Sequence, residues 1–174
     1  MSAAALKDDH QMKTAKARYS RGQELPAPIG KLLGLRIISL AIGRATVEFD
    51  ANERYANPMG SLHGGVLCAI ADAAMGVAYS TLLAEGETST TVELKINFLR
   101  PVWKATLRAK ARVVHGGKTL GLVECDIADE QERLVARASC TCMTLREQQA
   151  LGRELTEAGK QLLRARPNSA PAGI

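Results

Sequence analysis

The longest apolar stretch of the chain lies between His63 and Glu85, and Asp72 is its one side chain expected to carry charge at neutral pH. That pattern predicts a long helix, apolar on every face, which must be covered on nearly all sides. From Thr91 the period changes to two. Val92, Leu94, Ile96 and Phe98 fall on one face and Glu93, Lys95 and Asn97 on the other, until Pro101 ends the strand. Residues 106–115 alternate Leu107, Ala109, Ala111 and Val113 with Arg108, Lys110 and Arg112. Gly116 and Gly117 follow as a two-residue hairpin turn requiring positive φ. Residues 118–128 switch phase from Leu120 and Leu122 to Val123, Cys125 and Ile127, which predicts a β-bulge. A second turn at 129–132 leads into a final strand at 133–145. Upstream, residues 35–42 and 45–50 read as strands around a turn at Gly43, and 51–62 form a loop containing Asn57, Pro58 and Gly60.

The order is therefore a strand pair, one long helix and a meander whose short connections favour antiparallel pairing. This is an α+β arrangement in which an antiparallel sheet curves around one central helix. At the ends, residues 3–20 suggest a peripheral helix with Leu6, Met12, Ala15 and Tyr19 as its apolar stripe. Pro26 and Pro28 are expected to break any helix. Residues 147–165 suggest another helix and the remaining tail disorder. Three segments result: an N-terminal extension (1–29), a central domain (30–146) and a C-terminal helix and tail (147–174).

Composition narrows the function classes. The 174 residues suit one domain. The formal net charge is +5, yet there are only one Trp, three Tyr and two Phe, and no run of four basic residues. Nucleic acid is therefore not an expected partner, whereas a small polyphosphate ligand suits a mild positive excess. Cys68, Cys125, Cys140 and Cys142 have neither disulfide nor zinc spacing, and no secretion signal is evident, so a cytoplasmic location with reduced thiols is expected. A membrane span at 63–84 is disfavoured because the stretch is rich in Ala and Gly and an Asp near its centre costs about 2.5–3.5 kcal/mol. No membrane partner is expected.

Chemistry concentrates on the helix. A carboxylate in apolar surroundings is seldom kept unless it is paired, hydrogen-bonded or used. Gly64 and Gly65 at the helix start offer bare N–H groups where a developing anion would be stabilised. Acid and anion-binding helix end together outline an acyl-transfer site; the competing reading is a core Asp with structural partners. A Ser61–His63–Asp72 triad is poorly spaced, no Gly-x-Ser-x-Gly elbow occurs, and His10, His63 and His115 show no metal-ligand spacing.

The motif Asn57-x5-His63-Gly64-Gly65-x6-Asp72, followed by Thr-Val-Glu-Leu-Lys-Ile-Asn-Phe-Leu-Arg-Pro at 91–101, resembles hotdog-fold acyl-CoA thioesterases of the phenylacetic-acid-degradation (PaaI-like) branch. The resemblance spans about residues 30–146 and includes the stretch around Val113–Lys118, Glu124, Val135 and Ala136. It implies a hotdog fold and metal-independent hydrolysis of an aryl-acetyl or medium-chain acyl-CoA, with coenzyme A as part of the substrate and no cofactor. It assigns Asp72 as general base or nucleophile, the Gly64 amide as carbonyl-polarising donor, Asn57 as the polar group before the helix, and Thr91 as the hydroxyl on the next strand, with Thr90 the neighbouring alternative. His63 is either a helix cap or a base. Gly65, Arg100 and Lys118 are candidate substrate contacts, with Lys104 a further phosphate partner. Each basic residue is equally explained by surface solubility, Asn57 by the loop and Thr91 by the strand.

Gly64 and Asp72 are about 12 Å apart along the helix at 1.5 Å per residue, too far to serve one carbonyl. A site uniting them needs two antiparallel helices, hence a homodimer at least, with a homotetramer expected. The alternatives within the fold are a non-catalytic acyl-CoA-binding or scaffold protein and a CoA-ester hydratase.

Overall fold

The computed structural model describes residues 24, 25 and 27–152. The suggested helix at 3–20, the C-terminal helix beyond 152 and the tail lie outside the described residues. A short helix, α1 (Pro28–Leu33), is followed by strands β1 (Arg36–Ala41) and β2 (Arg44–Ala51) and a 3-10 turn (Glu53–Tyr55). The central helix α2 spans Gly64–Ser80. Then come β3 (Thr88–Phe98), β4 (Ala105–Gly116), β5 (Leu120–Ala128) and β6 (Leu134–Leu145). All pairings are antiparallel, in the order β1-β2-β4-β5-β6-β3.

Pro28 opens a helix where a break was expected. It occupies the first helical turn, where a missing N–H costs nothing, and Gly34 closes the helix at φ 70°. The sheet curls around α2, which packs against β2 to β6. Phe49, Val47, Leu107, Ala109, Val123, Cys125, Ile127 and Cys140 bury the sheet's inner face against Ile70, Ala71, Ala74, Met75 and Ala78. The many alanines let the helix lie close to the strands. At its C-terminal end, a Cβ on Gly121 would lie 2.3 Å from the Tyr79 ring, and Tyr79 Oη shares a 2.9 Å hydrogen bond with Thr144 Oγ1.

Three strand details differ from the sequence expectations. β4 continues through Gly116, and the hairpin closes with the Gly117 N–H donating to the Leu120 carbonyl at 2.9 Å. Neither glycine has positive φ; Gly117 is needed because a Cβ there would lie 2.7 Å from that carbonyl. β5 alternates without interruption, with Leu120 and Leu122 exposed on the outer face, and the bulge expected in β5 sits on β4 at Val114 instead. A further bulge falls at Val92, between the Thr91–Cys142 and Glu93–Thr141 pairs, and leaves Val92 58% exposed.

Candidate active site

The loop before α2 is built by Asn57. Its Oδ1 accepts from the Met59 N–H, its Nδ2 donates to Ser61 Oγ at 2.9 Å, and its backbone N–H donates to the Ser61 carbonyl at 2.7 Å. With Gly60 at φ 83°, these bonds aim the chain into the helix. Asn57 thus supports the loop rather than pointing a free amide at Asp72.

His63 is the N-cap of α2. Its Nδ1 accepts the Gly65 N–H at 2.9 Å, which satisfies one of the orphan donors of the first turn. The two bare amides expected at the helix start are therefore one. Among the described residues the Gly64 N–H has no acceptor, while the Gly65 N–H is taken. The Phe98 ring lies against Gly64, and a Cβ there would meet it at 3.0–3.3 Å. Phe98 was not among the expected site residues. Its position in the apolar alternation of β3 gave a face but no distance to the helix.

Two turns along, Thr91 Oγ1 donates to Asp72 Oδ1 at 2.8 Å. The Val92 bulge makes this possible. Counting back from Phe98 in steps of two would turn Val92 inward, but the extra residue brings Thr91 to the inner face opposite Cys142. Thr90, paired with Met143, faces the other side of the sheet. Asp72 itself is exposed, where the apolar pattern led one to expect burial. The sheet covers one side of α2 only, and Gly65, Val66, Cys68, Ala69, Asp72, Ala73 and Gly76 form a strip left partly open.

Ser61, His63 and Asp72 are not joined by hydrogen bonds, and Ser61 and His63 are engaged locally. Arg100 and Lys118 lie at opposite ends of the sheet. Arg100 lines a cavity of ≈ 280 Å³ with Trp103, Lys104 and Arg133, beside the segment that the Leu62 N–H bonds through the Val102 carbonyl. Lys118 lines a cavity of ≈ 400 Å³ with Tyr79 and Arg146 at the far end of α2. Among the described residues no group of three or more His, Cys, Asp and Glu side chains is placed to hold a metal ion. No helix there is long and apolar enough to cross a membrane.

The sequence and the fold of this chain, a curled antiparallel sheet around one long helix, are matched by known proteins. The thioesterase superfamily matches residues 59–136. The acyl-coenzyme A thioesterase PaaI of Escherichia coli is 36% identical over 107 residues, covering 61% of this chain and 74% of that protein. A 1,4-dihydroxy-2-naphthoyl-CoA hydrolase of Listeria monocytogenes is 30% identical over 109 residues, covering 63% and 89%. The chain belongs to the thioesterase superfamily. The solved structure of the Escherichia coli PaaI protein from the phenylacetic acid degradation operon superposes with a TM-score of 0.67 at 30% identity, covering 78% of this chain and 94% of that one. The hotdog fold expected from the sequence is the fold observed, and the likeness is consistent with the PaaI-like branch. This superfamily member is a thioester hydrolase.

Proposed function

We propose that the protein hydrolyses an aryl-acetyl-CoA or medium-chain acyl-CoA to the free acid and coenzyme A, at sites shared by two protomers. The observation that carries this reading is the Gly64–Asp72 pair on the open strip of α2: one unpartnered amide at the helix N-terminus, and one carboxylate held by Thr91 at 2.8 Å. The thioester oxygen gains negative charge as the carbonyl carbon is attacked, and a preorganised N–H at a helix start is placed to meet it. Asp72 either takes a proton from the attacking water or attacks the carbonyl carbon itself, giving a mixed anhydride that water then hydrolyses to the free acid and the regenerated carboxylate. In both cases the Thr91 hydrogen bond fixes Oδ1 and leaves Oδ2 for the reaction. The thiolate of coenzyme A departs and is protonated by solvent. His63 acts here by capping the helix, so that Gly64 presents its amide.

An aromatic acyl group is supported by two relatives, one named from a phenylacetic acid degradation operon and the other a 1,4-dihydroxy-2-naphthoyl-CoA hydrolase, and the aryl-acetyl form by the first of them. Since Gly64 and Asp72 of one chain are about 12 Å apart, an antiparallel second α2 lying on the open strip supplies the missing half of each site. A homodimer is the smallest active unit in this reading, and a homotetramer of such dimers, in the cytoplasm, is the form we favour. Catalysis needs no metal and no cofactor in this scheme. Incubation with a panel of acyl-CoAs and a thiol reagent tests it. Aryl-acetyl and medium-chain substrates should release thiol fastest, and Asp72→Asn should lower turnover by about 10²–10⁴-fold with the fold retained. Near-normal hydrolysis by Asp72→Asn would remove Asp72 from the chemistry, and binding without thiol release would favour a non-catalytic acyl-CoA-binding protein.

A further inference from the structure

Cys140 and Cys142 stand two residues apart on β6, so both side chains point to the inner face of the sheet, where both are buried. Their sulfurs lie 3.6 Å apart. Cys142 is also the residue directly opposite Thr91 in the β3–β6 pair. Directly opposed side chains start about 4.5–5.5 Å apart at Cβ. The Thr91 hydroxyl and the Cys142 thiol are thereby hydrogen-bond partners. On its other side, Thr91 Oγ1 donates to Asp72 Oδ1 at 2.8 Å. Four polar groups therefore run in one line on a face otherwise lined by apolar side chains, from Cys140 through Cys142 and Thr91 to Asp72.

The protons in that line can point only one way. An ionised carboxylate accepts and does not donate, so the single hydroxyl proton of Thr91 is committed to Asp72. Thr91 Oγ1 then offers only lone pairs to its other neighbour, and Cys142 must be the donor between the two. With its proton used there, Cys142 Sγ accepts from the Cys140 thiol and not the reverse. We infer that Cys142 is a positioning residue for the hydrolysis, its S–H, backed by Cys140, holding the Thr91 hydroxyl in the orientation that points at Asp72 Oδ1. This rests on the reading of Asp72 as the reacting acid and extends it one layer into the sheet. A threonine hydroxyl rotates to suit its neighbours, and one that accepts a hydrogen bond donates a stronger one in turn. Cys142 must keep its proton to act in this way. The Cys140 hydrogen bond lowers the Cys142 thiol, whereas burial and the charge of Asp72 raise it, so a thiolate there would face a carboxylate of like charge. A cysteine that merely filled the core would need no proton, and alanine would replace it.

Alanine and serine are close in size and only serine keeps a donor, so the two substitutions at residue 142 separate a hydrogen bond from packing. The test measures kcat and KM on one acyl-CoA for Cys142→Ala and Cys142→Ser, each also in a Thr91→Val background. Cys142→Ala should lower kcat about 3- to 10-fold with KM unchanged, the range expected for one neutral hydrogen bond. Cys142→Ser should restore most of that loss. In the Thr91→Val background Cys142→Ala should cost nothing further, because its effect passes through Thr91. The S–H stretching band that disappears in Cys142→Ser gives a readout independent of turnover. Its infrared frequency should be that of a bonded thiol in the wild type and move towards that of a free thiol in Thr91→Val. An alanine variant as active as wild type, a serine variant no better than alanine, an undiminished loss in the Thr91→Val background, or an S–H band that is missing or does not move would each overturn the role of Cys142 while leaving Asp72 in place. Near-normal hydrolysis by Asp72→Asn would instead overturn the reading on which that role rests.

Discussion

At the residue scale the structure separates two glycines that look equivalent in the sequence. Gly65 gives its N–H to His63 Nδ1, while Gly64 keeps its own unbonded beneath the Phe98 ring. Two substitutions isolate that amide. Gly64→Ala adds a Cβ 3.0 Å from the Phe98 ring, but Phe98 is more than half exposed and free to swing away, and the N–H remains. Gly64→Pro adds the same carbon and deletes the N–H. Proline is well suited to the first helical position, and His63 at ψ 131° already has the extended conformation required before it. The backbone should therefore tolerate both changes. The expected outcome is a kcat for Gly64→Pro about 10²–10³-fold below that of Gly64→Ala, measured on the same acyl-CoA, with similar thermal unfolding. Equal rates would take the Gly64 amide out of the reaction. The lone Asp72 and the glycine amides at the helix start were legible in the residue pattern, whereas Thr91 was indicated only by the family resemblance, with Thr90 left open until the Val92 bulge placed Thr91 beside Asp72. The opposing Phe98 and the engaged Asn57 were not legible, since both depend on where a loop and a strand end come to rest in three dimensions.

At the element scale, period-two alternation located the strands well but failed wherever both faces of a strand carry apolar residues. In β5, Leu120 and Leu122 are outward-facing, so the apparent change of phase is a change of surface composition and not of backbone. In β3, Val92 continues the apolar alternation by sequence alone, and only the pairing with β6 reveals it as the bulged residue. The outer-face charges report strand order in part: Arg36–Glu48, Glu48–Arg108, Arg112–Glu124 and Asp126–Arg137 join residues directly opposite on neighbouring strands, whereas Arg36–Asp50 and Lys110–Glu132 do not. The Asp126–Arg137 pair is bidentate, with 2.6 and 2.7 Å contacts. The Arg137 guanidinium holds the Asp126 carboxyl below the usual aspartate range, chiefly by these hydrogen bonds, against a smaller opposing effect of burial. A carboxylate with a depressed folded-state pKa stabilises the fold above its unfolded pKa, near 3.9, and loses that contribution as pH falls through the folded value. Both side chains are substantially exposed, so solvent screening limits the effect to about 1 kcal/mol or less. Asp126→Asn should therefore lower the urea midpoint slightly at pH 7, and the difference from wild type should close as pH falls below about 3. A difference that stays constant across that range would mean the variant acts by packing and not by charge.

At the scale of the whole molecule, the chain buries a core on one side of α2 and leaves the other side open. The expectation that a helix apolar on every face must be covered on nearly all sides holds for one side of α2 within the chain; in the proposed shared-site reading a second copy covers the other. Asp72, Cys68, Ala69 and Gly76 are small or polar residues on that strip, which allows a second helix to approach closely. An antiparallel partner that brings its Asp72 to Gly64 places residue 68 at the crossing, since 68 is midway between 64 and 72. Two copies of Cys68 should then face each other across the two-fold axis. The remaining cysteines cannot confuse the result. Cys125, Cys140 and Cys142 are buried on the inner face of the sheet, burial pushes the Cys125 thiol up to about 12, and the hydrogen bond with Cys142 together with burial pushes Cys140 up as well. Burial also raises Cys68, though it is only half-buried, so its reaction with a maleimide should be slow at neutral pH and quicken as pH rises towards 9. A short bis-maleimide should therefore link two chains through Cys68, giving a dimer band on a denaturing gel that disappears in Cys68→Ser. Acyl-CoA substrate should slow the reaction by occupying the neighbouring sites. If Cys68 takes up reagent singly in a dimer of confirmed mass and never bridges two chains, the helices do not cross at residue 68, and Gly64 of one protomer does not serve Asp72 of the other.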